Sequence, residues 1–128
     1  MKQRTPVATV LCTTIATSLL LALTAAQTAE AATVTVSSTC TLAKAVATVN
    51  AGVNQSPCTH SGSFGSNDTV VVPVGTFYIG SSIDITRSMT IHGGGKWSTF
   101  LYVNDSSLYY AIRVKSPSIV VKMDNLFF

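Results

Sequence analysis

The 128 residues include eight Lys or Arg and five Asp or Glu, and 47% of them are hydrophobic whereas only 10% are charged. A net charge of +3 spread along such a chain is not the clustered basic surface of a nucleic-acid-binding protein, so we expect no nucleic-acid partner. Much of the apolar excess lies before residue 32, so the two parts of the chain have different roles.

Residues 1–31 have the three parts of a secretory signal peptide. Lys2 and Arg4 form a basic start, residues 7–26 are an uncharged run of small and apolar residues, and residues 29–31 (AEA) match an A-x-A cleavage site. A membrane anchor is the alternative, but Thr and Ala dominate the run and no basic stop-transfer cluster follows it. We expect cleavage after this site, a secreted or cell-surface protein, and no transmembrane segment in the mature chain.

The mature chain, residues 32–128, keeps two cysteines, Cys40 and Cys58. An isolated pair of cysteines in an oxidising exterior is most simply a disulfide. Closing the loop between them would stabilise a small domain by about 3 kcal/mol in the chain-entropy model. The alternative is two free, buried thiols.

Residues 32–67 predict a strand, a short helix and a surface loop. Valine and threonine alternate over residues 32–37, which is the period of a strand. A helical stripe follows, with Thr41 as the N-cap and Gly52 near the end. Residues 54–67 are rich in Ser, Gly and Asn without an apolar rhythm, which predicts a loop. The residues of the helical stripe are Leu42, Ala45, Val46, Val49 and Val53.

Four short strands are predicted within residues 68–95, because apolar residues alternate with their neighbours in four successive runs. The separators between the runs are too short to hold crossover helices, so the strands turn corners instead of forming βαβ units. The alternating pairs are Val70 and Val72, Phe77 and Ile79, Ile83 and Ile85, and Met89 and Ile91.

Further strands are predicted at residues 99–103, 109–114, 119–123 and 126–128. Laying residues 87–93 over the third of these runs matches Met89 with Val121 and Ile91 with Met123. This offset is near the length of one coil of a solenoid. The fold predicted is therefore mainly β, the start of a right-handed parallel β-helix of about two coils with a short N-terminal capping helix.

A β-sandwich is the alternative fold. Its hairpins should carry stronger Asn-Gly or Asp-Gly turn signals than this sequence contains. Short strands with tight corners and a near-regular offset favour the solenoid.

Three segments carry a family resemblance: CTLAKA at residues 40–45, GSNDTVVVPVGTF at residues 65–77 and SMTIHG at residues 88–93. Together they resemble the N-terminal, CSLREA-type region of secreted bacterial right-handed parallel β-helix proteins, which are pectate-lyase-like. The sequence departs from that pattern at Ala43 and Lys44, where the family has Arg-Glu. The lost Glu would have supported the helix start, so we expect a less stable helix than the family pattern implies.

The resemblance implies that residues 32–67 form a cap and that residues 68–128 form the first coils. A cap would cover apolar core and unpaired strand edges at the start of the solenoid. Such proteins usually continue for many coils, so the end at Phe128 leads us to expect a truncated product or fragment.

One pair of residues in the mature chain is a candidate catalytic site. The mature chain has no Glu and four Asp, and neither His60 nor His92 has a second ligand at a metal spacing, so we expect no metal or cofactor. If Ile91 and Met123 are equivalent, His92 and Asp124 lie one coil apart on an outer face. A surface contact between coils is the simpler interpretation of this pair.

Four aromatic residues are candidates for carbohydrate contact, since the flat face of an aromatic ring suits the apolar face of a sugar. They would otherwise fill turns or the core. These residues are Trp97, Tyr102, Tyr109 and Tyr110.

The sequence thus favours a non-catalytic N-terminal part of a secreted or surface-displayed β-helix protein, whose full-length form serves adhesion or glycan contact, with an extracellular polysaccharide or a cell surface as the partner. The alternative is the leading fragment of a polysaccharide lyase or glycoside hydrolase whose catalytic coils are missing from this chain.

Overall fold

The computed structural model describes residues 30–128, so most of the predicted signal peptide lies outside the described residues. This part is mainly β, with one α-helix, α1 (Leu42–Ala51). Within it, no helix is long and apolar enough to cross a membrane. The strands are β1 (Thr33–Thr35), β2 (His60–Ser61), β3 (Asp68–Val72), β4 (Gly75–Ile79), β5 (Ile83–Ile85), β6 (Met89–Gly93), β7 (Thr99–Val103), β8 (Ile112–Val114) and β9 (Val121–Asp124).

The strands pair mostly in parallel and at long range. A five-stranded sheet has the order β2-β1-β3-β6-β9, in which only β2 runs antiparallel to its neighbour. Two further parallel pairs, β4 with β7 and β5 with β8, form small sheets of their own. From β3 to β9, each pairing between these strands joins a strand to the one three places later in the chain.

The core lies between these sheets and follows the alternation seen in the sequence. In β3, Val70 and Val72 are buried, and in β6 the buried residues include Met89 and Ile91. The predicted register of β6 on β9 is confirmed, since Ile91 is the partner of Met123. Phe77 is only half-buried, whereas its predicted companion Ile79 is fully inside.

Helix α1 begins and ends at the predicted caps. The Thr41 side chain accepts a hydrogen bond from the Lys44 backbone N–H at 3.5 Å. Gly52 is left-handed, with φ of 65°, and its N–H bonds to carbonyls of the last turn. Val53 lies beyond this cap and is exposed, so its prediction as a member of the helical stripe is wrong. The stripe ends at Val49 because the backbone leaves the helical path at Gly52.

A buried carboxylate joins the helix to the sheet. Asp68 is 0% exposed, and it accepts hydrogen bonds from the backbone N–H groups of Ala32 at 3.1 Å and Gly65 at 2.9 Å. Arg87 approaches the same carboxylate at 3.6 Å and donates to the carbonyls of Gly65 at 2.7 Å and Val49 at 2.8 Å. One guanidinium therefore links β3, the loop before it and the last turn of α1.

A disulfide joins Cys40, just before α1, to Cys58 in the following loop. Both residues are buried, and their Cα atoms are 4.8 Å apart. This is the pairing that the sequence predicts, and it holds the loop against the start of the helix.

The strands predicted at residues 32–37 and 119–123 are Thr33–Thr35 and Val121–Asp124 in the structure. Three other predicted boundaries differ more. The loop predicted at residues 54–67 contains β2, because its backbone pairs with β1. The strand predicted at residues 109–114 is formed only by Ile112–Val114, where β5 offers a partner. Residues 126–128 do not form a strand, and a single bridge joins Phe127 to Phe100. In each case, a segment forms a strand only where a neighbouring strand is in reach to pair with it.

Candidate functional site

A row of aromatic side chains lies on the outer face of the β4–β7 pair. Tyr78 and Tyr102 are direct partners in the parallel register, and their ring centroids are 6.2 Å apart. Phe100 lies two residues before Tyr102 and therefore projects from the same face of β7. The rings of Phe100 and Tyr102 are stacked, with centroids 6.4 Å apart.

Two residues outside the strands extend this row. Phe127 packs edge-on against Phe100, with ring centroids 5.7 Å apart. Trp97 follows, with its centroid 5.7 Å from that of Phe127. We call the five residues Tyr78, Tyr102, Phe100, Phe127 and Trp97 the aromatic strip.

The strip is open to solvent along much of its length. The exposed fractions are 69% for Tyr78, 52% for Tyr102 and 72% for Trp97. At the Trp97 end, the Lys96 ammonium lies 5.3 Å from the indole centroid, at the distance of a cation–π contact. The strip is therefore an amphipathic surface with a positive charge at one end.

The strip faces solvent because the residues that alternate with it in β4 and β7 are buried. Ile79 and Leu101 point into the core, so the residues between and beside them face solvent. The register is held at the start of the pair by a 2.7 Å hydrogen bond from the Gly75 N–H to the Ser98 carbonyl. Gly75 has a φ of 143°, which glycine adopts without strain.

The structure brings together two of the four aromatic residues predicted for carbohydrate contact. Trp97 and Tyr102 belong to the strip, linked through Phe100 and Phe127. Tyr109 and Tyr110 precede β8 and are not joined to the strip by a ring contact among the described residues. Tyr109 is 95% exposed, and it stands apart because the chain leaves the β7 direction after residue 103.

Sequence reasoning missed Tyr78, Phe100 and Phe127. The signal was present in part, since Tyr78 and Phe100 lie in predicted strands at positions that alternate with buried residues. What was lacking was the register of β4 on β7, which depends on the lengths of the corners between them.

A groove of about 380 Å³ lies beside Tyr78, between β4 and the segment that leads into α1. Leu42 and Phe77 form part of its floor. Hydroxyl groups form much of the remainder, and these can donate and accept hydrogen bonds. The hydroxyl-bearing residues that line the groove are Ser37, Ser38, Thr41, Thr76 and Tyr78.

The predicted pair of His92 and Asp124 lies on the outer face of β6 and β9, where the two residues are register partners. His92 Nδ1 and Asp124 Oδ1 are in hydrogen-bond contact, and the Lys122 ammonium lies 3.2 Å from Asp124 Oδ2. The hydrogen bond with His92, followed by the one from Lys122, holds the pKa of the Asp124 carboxyl below its usual value. Asp124 is therefore an ionised carboxylate in contact with two nitrogen groups, the His92 imidazole and the Lys122 ammonium.

This contact predicts a pH-dependent contribution to stability. Because the pKa of Asp124 is lower in the folded chain than in the unfolded chain, the contribution is present above about pH 4 and is lost as the pH falls through the folded value. Replacing His92 with alanine should raise the Asp124 titration midpoint toward its ordinary value. Carboxyl-carbon NMR measures this midpoint directly.

Asp105 provides the control for that titration. Its pKa is also lowered, but by hydrogen bonds from the Ser107 hydroxyl and backbone, far along the chain from His92. The titration midpoint of Asp105 should be the same in the unchanged protein and in His92→Ala. Equal midpoints for Asp124 with and without His92 would contradict the assignment.

Asp84 is also held as a carboxylate. Arg113 donates to its two oxygens at 2.8 and 3.0 Å, and Lys115 lies 3.4 Å away. The hydrogen bond from Arg113 is the main reason that the pKa of Asp84 is lowered. A carboxyl with a lowered pKa is deprotonated near neutral pH, which suits an acceptor and not a general acid.

Between Glu30 and Phe128, no three His, Cys, Asp or Glu side chains are grouped so that they could hold a metal ion. Comparison with models of known protein families, with curated proteins and with solved structures gave no match. The function is therefore inferred from the arrangement of the side chains in this structure.

Proposed function

We propose that this chain is the non-catalytic N-terminal part of a secreted or surface-displayed parallel β-helix protein, and that its aromatic strip contacts an extracellular polysaccharide. The observation that carries the proposal is the strip itself, five rings in sequence on one outer face. Large aromatic side chains that remain exposed in a row are a mark of a binding surface.

The strand pairing supports the β-helix part of the proposal. In a sandwich built from hairpins, consecutive strands pair in antiparallel fashion. From β3 onward, the strands instead pair in parallel with the strand three places later. A chain that passes repeatedly through the same three strand positions has the connectivity of a solenoid coil.

The N-terminal elements support the role of a cap. Helix α1 packs against β1, β3 and β5, and its buried face includes Leu42, Val46 and Val49. The strand β2 covers the outer edge of β1 in antiparallel pairing, and the disulfide holds the loop that carries it. The resemblance to CSLREA-type N-terminal regions is consistent with this arrangement.

The chemistry of the strip suits a sugar polymer. Tyrosine and tryptophan offer an apolar ring for the C–H face of a pyranose and a polar group for its hydroxyls. The adjacent groove adds hydroxyl groups at the Tyr78 end. An extended row of rings fits a linear chain with several sugar units better than it fits a single sugar.

The carboxylates favour binding over catalysis. Glycoside hydrolysis needs one carboxyl group that remains protonated at working pH. The pKa values of Asp84, Asp105 and Asp124 are instead lowered by neighbouring donors. The alternative function, a leading fragment of a polysaccharide lyase or glycoside hydrolase, would need its acid and base from other residues.

Affinity electrophoresis of the folded protein in gels that contain pectin, alginate or xylan tests the proposal. We expect retardation by at least one of these polymers. Replacing Trp97 or Tyr78 with alanine should each weaken binding by about 2- to 10-fold, because one aromatic contact contributes roughly 0.5–1.5 kcal/mol.

Tyr109→Ala is the matched control, since Tyr109 is exposed but lies outside the strip. It should bind like the unchanged protein. An equal loss for Tyr109→Ala, or no retardation by any polymer, would count against the strip as the binding surface. Release of unsaturated product from pectin or alginate would instead support the lyase alternative.

A further inference from the structure

The buried carboxylate of Asp68 accepts a hydrogen bond from the backbone N–H of Ala32. Ala32 directly follows the predicted A-x-A cleavage site. We propose that Asp68 is the binding site for the new α-ammonium group that removal of the leader creates at Ala32. The inference rests on the predicted signal peptide and is independent of polysaccharide binding.

The chemical step is hydrolysis by a leader-removing protease. Water adds across the Ala31–Ala32 peptide bond, with its oxygen going to the Ala31 carbonyl carbon and a proton to the Ala32 nitrogen. The products are an Ala31 carboxylate, which leaves with the leader, and an Ala32 amine, which is protonated near neutral pH. A neutral amide donor thus becomes a positive charge at the same nitrogen.

The fold holds that nitrogen in place without the residues that precede it. The Ala32 carbonyl accepts a 2.8 Å hydrogen bond from the Thr69 N–H, and β1 continues in parallel register along β3. The Ala32 nitrogen lies 3.1 Å from Asp68 Oδ1. The charge would therefore form next to a carboxylate that is already positioned to receive it.

The surroundings of Asp68 favour a second positive partner. Its side chain is fully buried, and a buried carboxylate is costly unless charge and hydrogen bonds compensate it. Among residues 30–128, the charged group that faces Asp68 is Arg87, at 3.6 Å, beyond the usual length of a hydrogen bond. An α-ammonium at Ala32 supplies the closer charge.

The order of events follows from the uncut structure. There, Ala32 is buried, and Glu30 and Ala31 lie along the loop that contains Ser63, through a hydrogen bond and a bridge. A protease needs this segment free and extended. Cleavage therefore precedes the docking of β1, and docking then secures the new terminus.

The test uses the full-length chain, expressed in a secreting bacterial host, with the secreted product recovered. Intact mass and N-terminal sequencing should show that it starts at Ala32. A brief pulse of an amine-acetylating ester at pH 7, followed by digestion and mass spectrometry, then compares the α-amine with the exposed ε-amine of Lys122. An ion pair that raises the amine pKa by one unit slows labelling about 10-fold relative to the unfolded chain in urea.

Asp68→Asn should restore fast labelling, and Asp105→Asn should label as slowly as the unchanged protein. If Asp68→Asn does not fold, the pH dependence of labelling decides, because an ion pair raises the pKa of the α-amine in the folded chain above its value in urea, whereas burial alone slows labelling without raising it. The proposal is overturned by a different N-terminus, by equal labelling of folded and unfolded chains, or by slow labelling in folded Asp68→Asn.

Discussion

In the full-length chain that keeps the leader, replacing Arg87 with methionine should lower the free energy of unfolding by about 3 kcal/mol, because the change leaves the buried Asp68 carboxylate without its side-chain cation. The same change removes the donors to the Gly65 and Val49 carbonyls. Methionine keeps most of the apolar stem, so the loss reports on the guanidinium. Urea unfolding followed by circular dichroism measures it.

Arg113→Met is the matched control. Arg113 also pairs with an aspartate, but the pair with Asp84 lies on an exposed surface. Exposed ion pairs contribute little to stability, so this variant should unfold close to the unchanged protein. Equal destabilisation by the two substitutions would mean that the burial of Asp68 is not the reason for the effect.

Removing the disulfide should lower the free energy of unfolding by a similar amount. The bond closes a loop with a sequence separation of 18 residues. In the chain-entropy model, opening a loop of this size destabilises the fold by about 3 kcal/mol. The double substitution Cys40→Ala and Cys58→Ala should therefore unfold at clearly lower urea concentration than the oxidised protein.

Reductant provides the internal control for the disulfide. It should destabilise the unchanged protein and have no effect on the double variant. Mass spectrometry without reduction should find peptides that contain Cys40 and Cys58 linked together. Two thiols that react with an alkylating agent in the unreduced, unfolded protein would refute the bond.

Both substitutions act on the junction between the helical segment and the first strands. Asp68, Arg87 and the disulfide connect α1, the loop before β3 and the start of β1. If this junction is a cap, its loss should open the end of the sheet that β1 and β2 cover. The aromatic strip lies on a different sheet, so binding and stability can be measured separately.

Much of the local structure could be predicted because it depends on neighbours in the chain. Alternation located β3 to β7, and β7 has the bounds that the sequence predicts, residues 99–103. The caps of α1 follow from Thr41 and Gly52, whose preferences are local. The offset between Ile91 and Met123 identified the β6–β9 register, and with it the meeting of His92 and Asp124.

Other features could not be predicted because they depend on which strands meet. Asp68 shares the inward face of β3 with Val70 and Val72, but its carboxylate is compensated there because Ala32 and Arg87 supply donor groups from distant parts of the chain. The limits of β8 depended on β5 as a partner.

For this protein, the sequence by itself determined the strand alternation, the ends of the helix and the cysteine pair, since each depends on residues close together in the chain or on composition. Only the tertiary structure decided the aromatic strip and the partners of Asp68. The strip needs the register of β4 on β7, and the Asp68 cluster needs four separate segments to converge. Both are set by packing between distant segments, which no local pattern encodes.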